Sequence, residues 1–167
     1  MNLEISPAAQ AEATILSGLL DLYAHELSAI ANLPIAAGTP FQYEPLPRYW
    51  AEAHHYPYLV RVDGELAGFV LVQQGSRLTK APDVWDVAEF FVVKRYRKRG
   101  IGQRVAHSIW RQHAGRWEVR VMERNTAADG FWRRAIEAYV GLPVEPELVR
   151  VGDKSWNVFR VTSENLS

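Results

Sequence analysis

The sequence predicts a mixed α/β (α+β) fold in a single domain spanning residues 1–167. Three observations carry that expectation: helical periodicity near the start, β-rich runs bounded by turn residues through the middle and end, and two amphipathic helices interleaved with them. The 167 residues are 48% hydrophobic, which fits one domain able to bury a sizeable core. No repeat, low-complexity tract or linker divides the chain.

Ser6 and Pro7 read as a helix start, after which Ile15, Leu16, Leu19, Leu22, Tyr23, Leu27 and Ile30 recur at helical spacing, so a long amphipathic helix is expected to open the fold. From Asn32 to Pro47 the period is broken by Pro34, Gly38, Pro40, Pro45 and Pro47, giving a shaped loop before a short turn near Trp50 and Ala53. Tyr58–Val62 and Leu66–Gln73 read as strands joined by Asp63-Gly64, a dipeptide suited to positive φ in a tight hairpin. A polar stretch, 74–82, leads into the apolar, aromatic run Val84–Val93, read as a central strand. A helix from about Gly100 to His113, a strand at Trp117–Glu123 and a helix at Ala127–Tyr139 follow. Strands at Leu148–Val151 and Trp156–Val161 close the chain, with Gly152-Asp153 near their turn.

Composition removes several functions. Lys plus Arg equals Asp plus Glu at 19 each, so net charge gives no general pull toward nucleic acid or an anionic membrane. The absence of cysteine excludes disulfides, cysteine-ligated zinc and a thiol nucleophile carrying a covalent intermediate. No apolar run approaches the ~20 residues that span a bilayer, and Met1–Pro7 lacks the regions of a signal peptide, so a cytoplasmic protein is expected. His54-His55 lacks further ligand spacing, and no metal site is assigned. Trp110, Trp117 and Trp132 fall inside predicted elements and read as core.

The most informative stretch is Lys94–Arg104, KRYRKRGIGQR, with six cations and no acid where an apolar strand turns into a helix. Gly100 and Gly102 leave backbone N–H groups accessible at a helix start, where unpaired amides and the helix dipole favour an anion. The spacing is neither that of a Walker loop nor of a dinucleotide fingerprint. Arg97-Lys98-Arg99-Gly100-Ile101-Gly102 instead resembles the Arg/Gln-x-x-Gly-x-Gly/Ala pyrophosphate loop of the GNAT superfamily of N-acetyltransferases. Asn125 to Phe131-Trp132 resembles that superfamily's second cofactor segment, an Asn after a strand and a Phe-aromatic pair in the next helix. The similarity covers about Val84–Gly141.

That resemblance implies a GNAT-like twisted mixed sheet with splayed central strands flanked by helices, and acetyl-CoA as acetyl donor lying in the V-shaped gap. It implies that backbone groups of Phe91, Val92 and Val93 hold the pantetheine arm. The amides of Lys98, Arg99, Gly100, Ile101 and Gly102 then cradle the pyrophosphate beside Arg97, Gln103 and Arg104, and Asn125 and Phe131 touch the same ligand. Asn125 also suits an ordinary helix N-cap, and Phe131 ordinary core packing. The acceptor is expected to be a small-molecule or peptide amine lying near the Asn32–Pro47 loop and the strand that contains Glu89.

Amine acetylation needs a base for the attacking nitrogen, stabilisation of the thioester oxygen and departure of a thiolate. Glu89 is the candidate catalytic base, because strict alternation puts it on one strand face with Trp85, Val87, Phe91 and Val93, where desolvation would raise its pKa, unless a bulge interrupts. Pairing with an arginine is the competing role. Many family members carry a Tyr after the motif Phe to protonate the thiolate; here the residue is Trp132. Tyr139 lies two helical turns further and reads as packing. Some N-terminal acetyltransferases carry a Glu five residues before the motif Asn, where this chain has Arg120, which removes support for protein N-terminal acetylation. Two other classes stay open: an acyl-CoA-binding sensor with weak chemistry, and a nucleic-acid contact through Lys94–Arg104, against which the balanced charge counts. The closing strand either completes the sheet or pairs across subunits, which keeps a homodimer among the expectations.

Overall fold

The computed structural model describes residues 1–31 and 40–164. Ser6 and Pro7 end a strand there and do not begin a helix. Leu3 and Ile5 alternate with polar residues and pack on the core, so β1 (Leu3–Pro7) pairs antiparallel with β2 (His55–Val62), with Pro7 at its end, where a missing N–H is tolerated. A 3₁₀ turn at Gln10–Glu12 then leads into α1 (Ala13–Leu27), which buries Leu16, Leu19, Leu20 and Ala24. The helical period was legible; its N-terminal boundary was not. Of the expected loop at Asn32–Pro47, residues 32–39 lie outside the described residues.

The four-residue α2 (Arg48–Ala51) precedes β2. The Asp63-Gly64 hairpin forms as expected, with φ of 51° and 83° at its two central residues. It joins β2 to β3 (Glu65–Gln74), and β3 pairs antiparallel with β4 (Trp85–Val92). Then come α3 (Ile101–Gln112), β5 (Gly115–Met122), α4 (Thr126–Val140) and the hairpin β6 (Glu147–Val151) to β7 (Lys154–Ser163). The seven strands form one mixed sheet in the order β1-β2-β3-β4-β5-β7-β6, in which only β4 and β5 run parallel. α3 and α4 cover one face over Val70, Val72, Val87, Val119 and Phe159; α1 and α2 cover the other over Leu59, Phe69, Leu71 and Phe91. Trp110, Trp117 and Trp132 are core residues, as expected, and Tyr139 packs against His107 and Trp110 with its hydroxyl 3.1 Å from Ser163 Oγ.

Gly68 sets the closeness of β3 and β4. A methyl group on its Cα would fall onto the carbonyl oxygen of Phe91. Because the obstacle is backbone, relief requires the two strands to part. Gly68→Ala is therefore expected to cost about 2–3 kcal/mol in urea unfolding, at the upper end for overpacking. Unchanged stability would show that the ladder yields freely here.

Candidate active site

β4 and β5 are hydrogen-bonded only at Trp85–Trp117 and Asp86–Glu118. Beyond those two pairs they diverge, and a cleft of about 590 Å³ opens between Val87–Phe90 on one strand and Val119–Met122 on the other. Asn125, Ala128 and Trp132 of α4 line it, together with Tyr23, Arg77 and Trp156. Parallel strands that separate leave backbone N–H and C=O groups facing the gap in need of partners. This is the splayed centre that the resemblance implied.

Alternation along β4 breaks inside the cleft. Leu71 lies opposite Glu89 and Val72 opposite Val87, so Ala88 is an inserted residue. Trp85 and Val87 consequently face α3 and α4, whereas Ala88, Glu89, Phe91 and Val93 face α1 and α2. The expectation that Glu89 shares a face with Trp85 and Val87 is corrected; its partnership with Phe91 and Val93 holds.

The bulge delivers Glu89 to two phenols. Tyr23 of α1 donates to Glu89 Oε2 at 2.7 Å and Tyr43 donates to Oε1 at 3.3 Å. Burial raises the Glu89 pKa above the ordinary carboxylate value and outweighs the opposing pull of the Tyr23 bond, the Arg77 charge and the Tyr43 bond. Burial raises both tyrosine pKa values as well, with the Glu89 charge reinforcing it, so both hydroxyls stay protonated donors. Glu89 nonetheless lines the cleft. Arg77, the competing partner, is taken by Asp86: its Nε donates at 2.6 Å and one terminal nitrogen at 3.4 Å, while that nitrogen also reaches the Ala88 carbonyl at 3.2 Å.

At the far end of β4 the chain passes through a 3₁₀ turn (Lys94–Tyr96) into α3. Lys98 and Gly100 both have positive φ, 60° and 76°, and no side chain caps the helix start at Gly100. The first-turn amides of a twelve-residue helix thus point outward among cations, as an anion site requires. Gly102 is needed for another reason: a Cβ there would come within 2.9 Å of the Phe131 ring, so this turn and α4 pack in direct contact. Arg97 turns away from the helix start, its Nε donating to the Val92 carbonyl at 2.7 Å and its terminal nitrogen to Glu26 at 2.6 Å, braced against the Phe91 ring.

Asn125 caps α4, its side-chain oxygen accepting from the Ala128 amide at 3.1 Å, and it also lines the cleft. Both readings of that residue are therefore compatible. Phe131 packs on Phe90 and Trp132, while Trp132 itself lines the cleft. Sequence reasoning missed Tyr23, Tyr43, Arg77 and Asp86 as a cluster around Glu89. Tyr23 was visible only as a helical apolar position, and Arg77 only as part of a polar stretch. Among the described residues no cluster of His, Cys, Asp or Glu could hold a metal ion, and no helix is long and apolar enough to cross a membrane.

A mixed sheet splayed at two parallel strands and an uncapped basic helix start together form a gap beside an anion-binding turn. The chain belongs to the Acetyltransferase (GNAT) family, whose profile matches residues 21–136. No curated protein matches it in sequence. Solved structures share its fold. An acetyltransferase from Thermus thermophilus superposes with a TM-score of 0.71 at 14% identity over 97% of both chains. The aminoglycoside acetyltransferase AAC(6')-Ib, solved with coenzyme A and kanamycin, gives 0.68 at 13% identity over 96% of this chain and 95% of that one. The ribosomal-protein-S18-alanine N-acetyltransferase from Escherichia coli gives 0.60 at 11% over 99% and 97%.

Proposed function

We propose that this acetyltransferase binds acetyl-CoA in the β4–β5 gap and transfers the acetyl group directly to an amine, with Glu89 as the base. The observation that carries the reading is the passage through the sheet. The basic, uncapped start of α3 packs through Gly102 on Phe131 and Val92 beside the gap, and a carboxylate held by two phenols lines the gap on the α1 face. The coenzyme bound by a structurally similar acetyltransferase supports the same donor. The amides of Lys98 to Gly102 would receive the pyrophosphate, with Gln103 and Arg104 beside it, and the backbone of Phe91 to Val93 the pantetheine arm. Asn125 and Phe131 would close the α4 side, and Arg97 would hold the turn.

Glu89 accepts a proton from the acceptor ammonium, directly or through one water. The neutral nitrogen attacks the thioester carbonyl, the C–S bond breaks, and the surplus nitrogen proton passes through solvent to the departing thiolate as the amide forms. A thiol pKa around 8.5 lets the thiolate leave without a strong acid, so Trp132 in place of a tyrosine does not bar turnover. A chain without cysteine leaves no thiol acyl-enzyme, consistent with direct transfer.

Calorimetric titration with acetyl-CoA, beside CoA and ATP, tests the donor. Wild type is expected to bind acetyl-CoA and CoA in preference to ATP. Gly100→Glu should weaken acetyl-CoA about 100-fold by placing a carboxylate at the anion turn, whereas Gly100→Ala carries only the backbone strain of positive φ, about 1–2 kcal/mol in stability. A Cβ at Gly100 would meet no atom within 4 Å, so neither variant is excluded by crowding at that atom. Equal affinity for all three ligands, or equal binding by the Glu variant, would overturn the reading.

A further inference from the structure

Arg120 is a cation on the cleft wall that the acetyl-transfer chemistry leaves without a task. It stands on β5, two residues beyond the last β4–β5 pair, Asp86–Glu118, and that register carried forward sets it level with the Ala88–Glu89 bulge across the gap. Val119 and Val121 point to the α3–α4 core, so Arg120 shares the opposite face with Glu118, the same face on which Glu89 meets Tyr23. Both Arg120 and Glu89 line the cleft.

The three acids that act on Arg120 most closely, Asp86, Glu89 and Glu118, make their hydrogen bonds to other groups, although their charges still favour its ionised form. Asp86 is held by Arg77, Glu118 accepts from Ser76 Oγ at 2.8 Å, and both Glu89 oxygens accept from tyrosines. Arg120 Nε is buried and finds no hydrogen-bond partner among the described residues. Its guanidinium lies 4.9 Å from the Trp156 ring centroid, which stacks it without neutralising it. Burial, with the charge of Arg77 adding to it, holds its pKa below the ordinary guanidinium value. A buried charged group short of hydrogen-bond partners is destabilising, and an anion against the outer nitrogens of the guanidinium offsets that charge.

We infer that Arg120 receives a carboxylate of the acceptor, and that the substrate class is an amine bearing a carboxylate, its ammonium end at Glu89 and its anionic end against Arg120 and Trp156. The planar guanidinium fork matches a carboxylate, and the two recognising groups of opposite sign face each other across one gap. This deepens the acetyl-transfer reading and rests on it. It also separates the site from one made for polycationic acceptors, for which an arginine beside the base is repulsive.

Steady-state acetylation of matched pairs tests it: L-amino acids and ω-amino acids against their carboxamides, with spermidine as a cationic comparison and acetyl-CoA as donor. At least one carboxylate-bearing amine is expected to exceed its carboxamide about 30-fold in kcat/KM, the scale of a charge-assisted pair. Arg120→Gln should erase that preference through KM, since the lost contact is one of binding. Arg120→Lys should retain part of it, which distinguishes lost charge from lost fold; thermal melts of both variants run alongside. The inference is overturned if carboxamides or spermidine are acetylated as well as the carboxylates, or if no carboxylate-bearing amine turns over. It is also overturned if Arg120→Gln lowers kcat on charged and neutral acceptors alike, which would place the arginine at the thioester. Acetyl-CoA calorimetry on the same samples separates the two failures: absent donor binding sinks the acetyl-transfer reading, whereas intact donor binding with acetylation of other amines sinks only the carboxylate.

Discussion

Replacing Glu89 by Gln is expected to lower kcat by about 10²–10³-fold, within the range for removing a general base. Gln keeps the shape and one acceptor oxygen for the tyrosines but cannot take the ammonium proton. The pH dependence follows from the raised pKa. Wild-type kcat/KM should climb with pH as Glu89 ionises, above the ordinary carboxylate range, and this acid limb should vanish in the variant. Tyr23, Tyr43, Arg77 and Asp86 surround the carboxylate, and both phenols titrate far above that window, so the limb belongs to Glu89. Stability moves the other way. A carboxylate with a raised pKa in the folded state supports folding below its unfolded pKa, and that support is lost as pH rises through the folded value. Glu89→Gln should therefore match or exceed the wild-type melting temperature above that value, with the advantage shrinking toward acid pH. Wild-type turnover at all pH values with the true acceptor would end the base assignment and turn attention to Glu123 or water.

The parts of this site that sequence could disclose are those made within one short segment. The turn from Lys94 to Arg104 declares itself because glycines, cations and a strand-to-helix switch lie within eleven residues. Asp63-Gly64 declares its hairpin for the same reason. Glu89 stood out as an acid in an apolar run, yet its setting depends on Tyr23, 66 residues earlier, and Tyr43, 46 residues earlier. No local period encodes such pairings. The bulge at Ala88 was equally hidden, since an inserted residue shows only against its partner strand, and it reversed the side assigned to Trp85 and Val87. Ser6-Pro7 misled because a strand end and a helix start tolerate the same residues; pairing of Leu3 and Ile5 with Val62 and Val60 decided between them. Arg77 looked like loop polarity because its partner Asp86 lies across a turn, nine residues on.

Asp86→Ala is expected to destabilise the fold by about 3–5 kcal/mol in urea unfolding, the range for removing one member of a buried ion pair. Asp86 is fully buried, and its loss leaves the Arg77 guanidinium in the sheet with only the Ala88 carbonyl as partner. The consequence reaches catalysis because that carbonyl belongs to the bulge that aims Glu89. Replacing both partners separates the two effects. Arg77→Leu with Asp86→Leu exchanges the pair for apolar packing and should recover most of the lost stability, since a buried pair often gains little over hydrophobic replacement. Activity should not recover with it, because nothing then holds the Ala88 carbonyl, and kcat should stay about tenfold or more below wild type at the pH where Glu89 is ionised, as expected when a base is misplaced by a fraction of an ångström. A double variant that is both stable and fully active would show that the bulge holds its shape unaided. A stable and slow one would make the Arg77–Asp86 pair a positioning device retained for the geometry of Glu89, and for that purpose its cost in desolvation is tolerated.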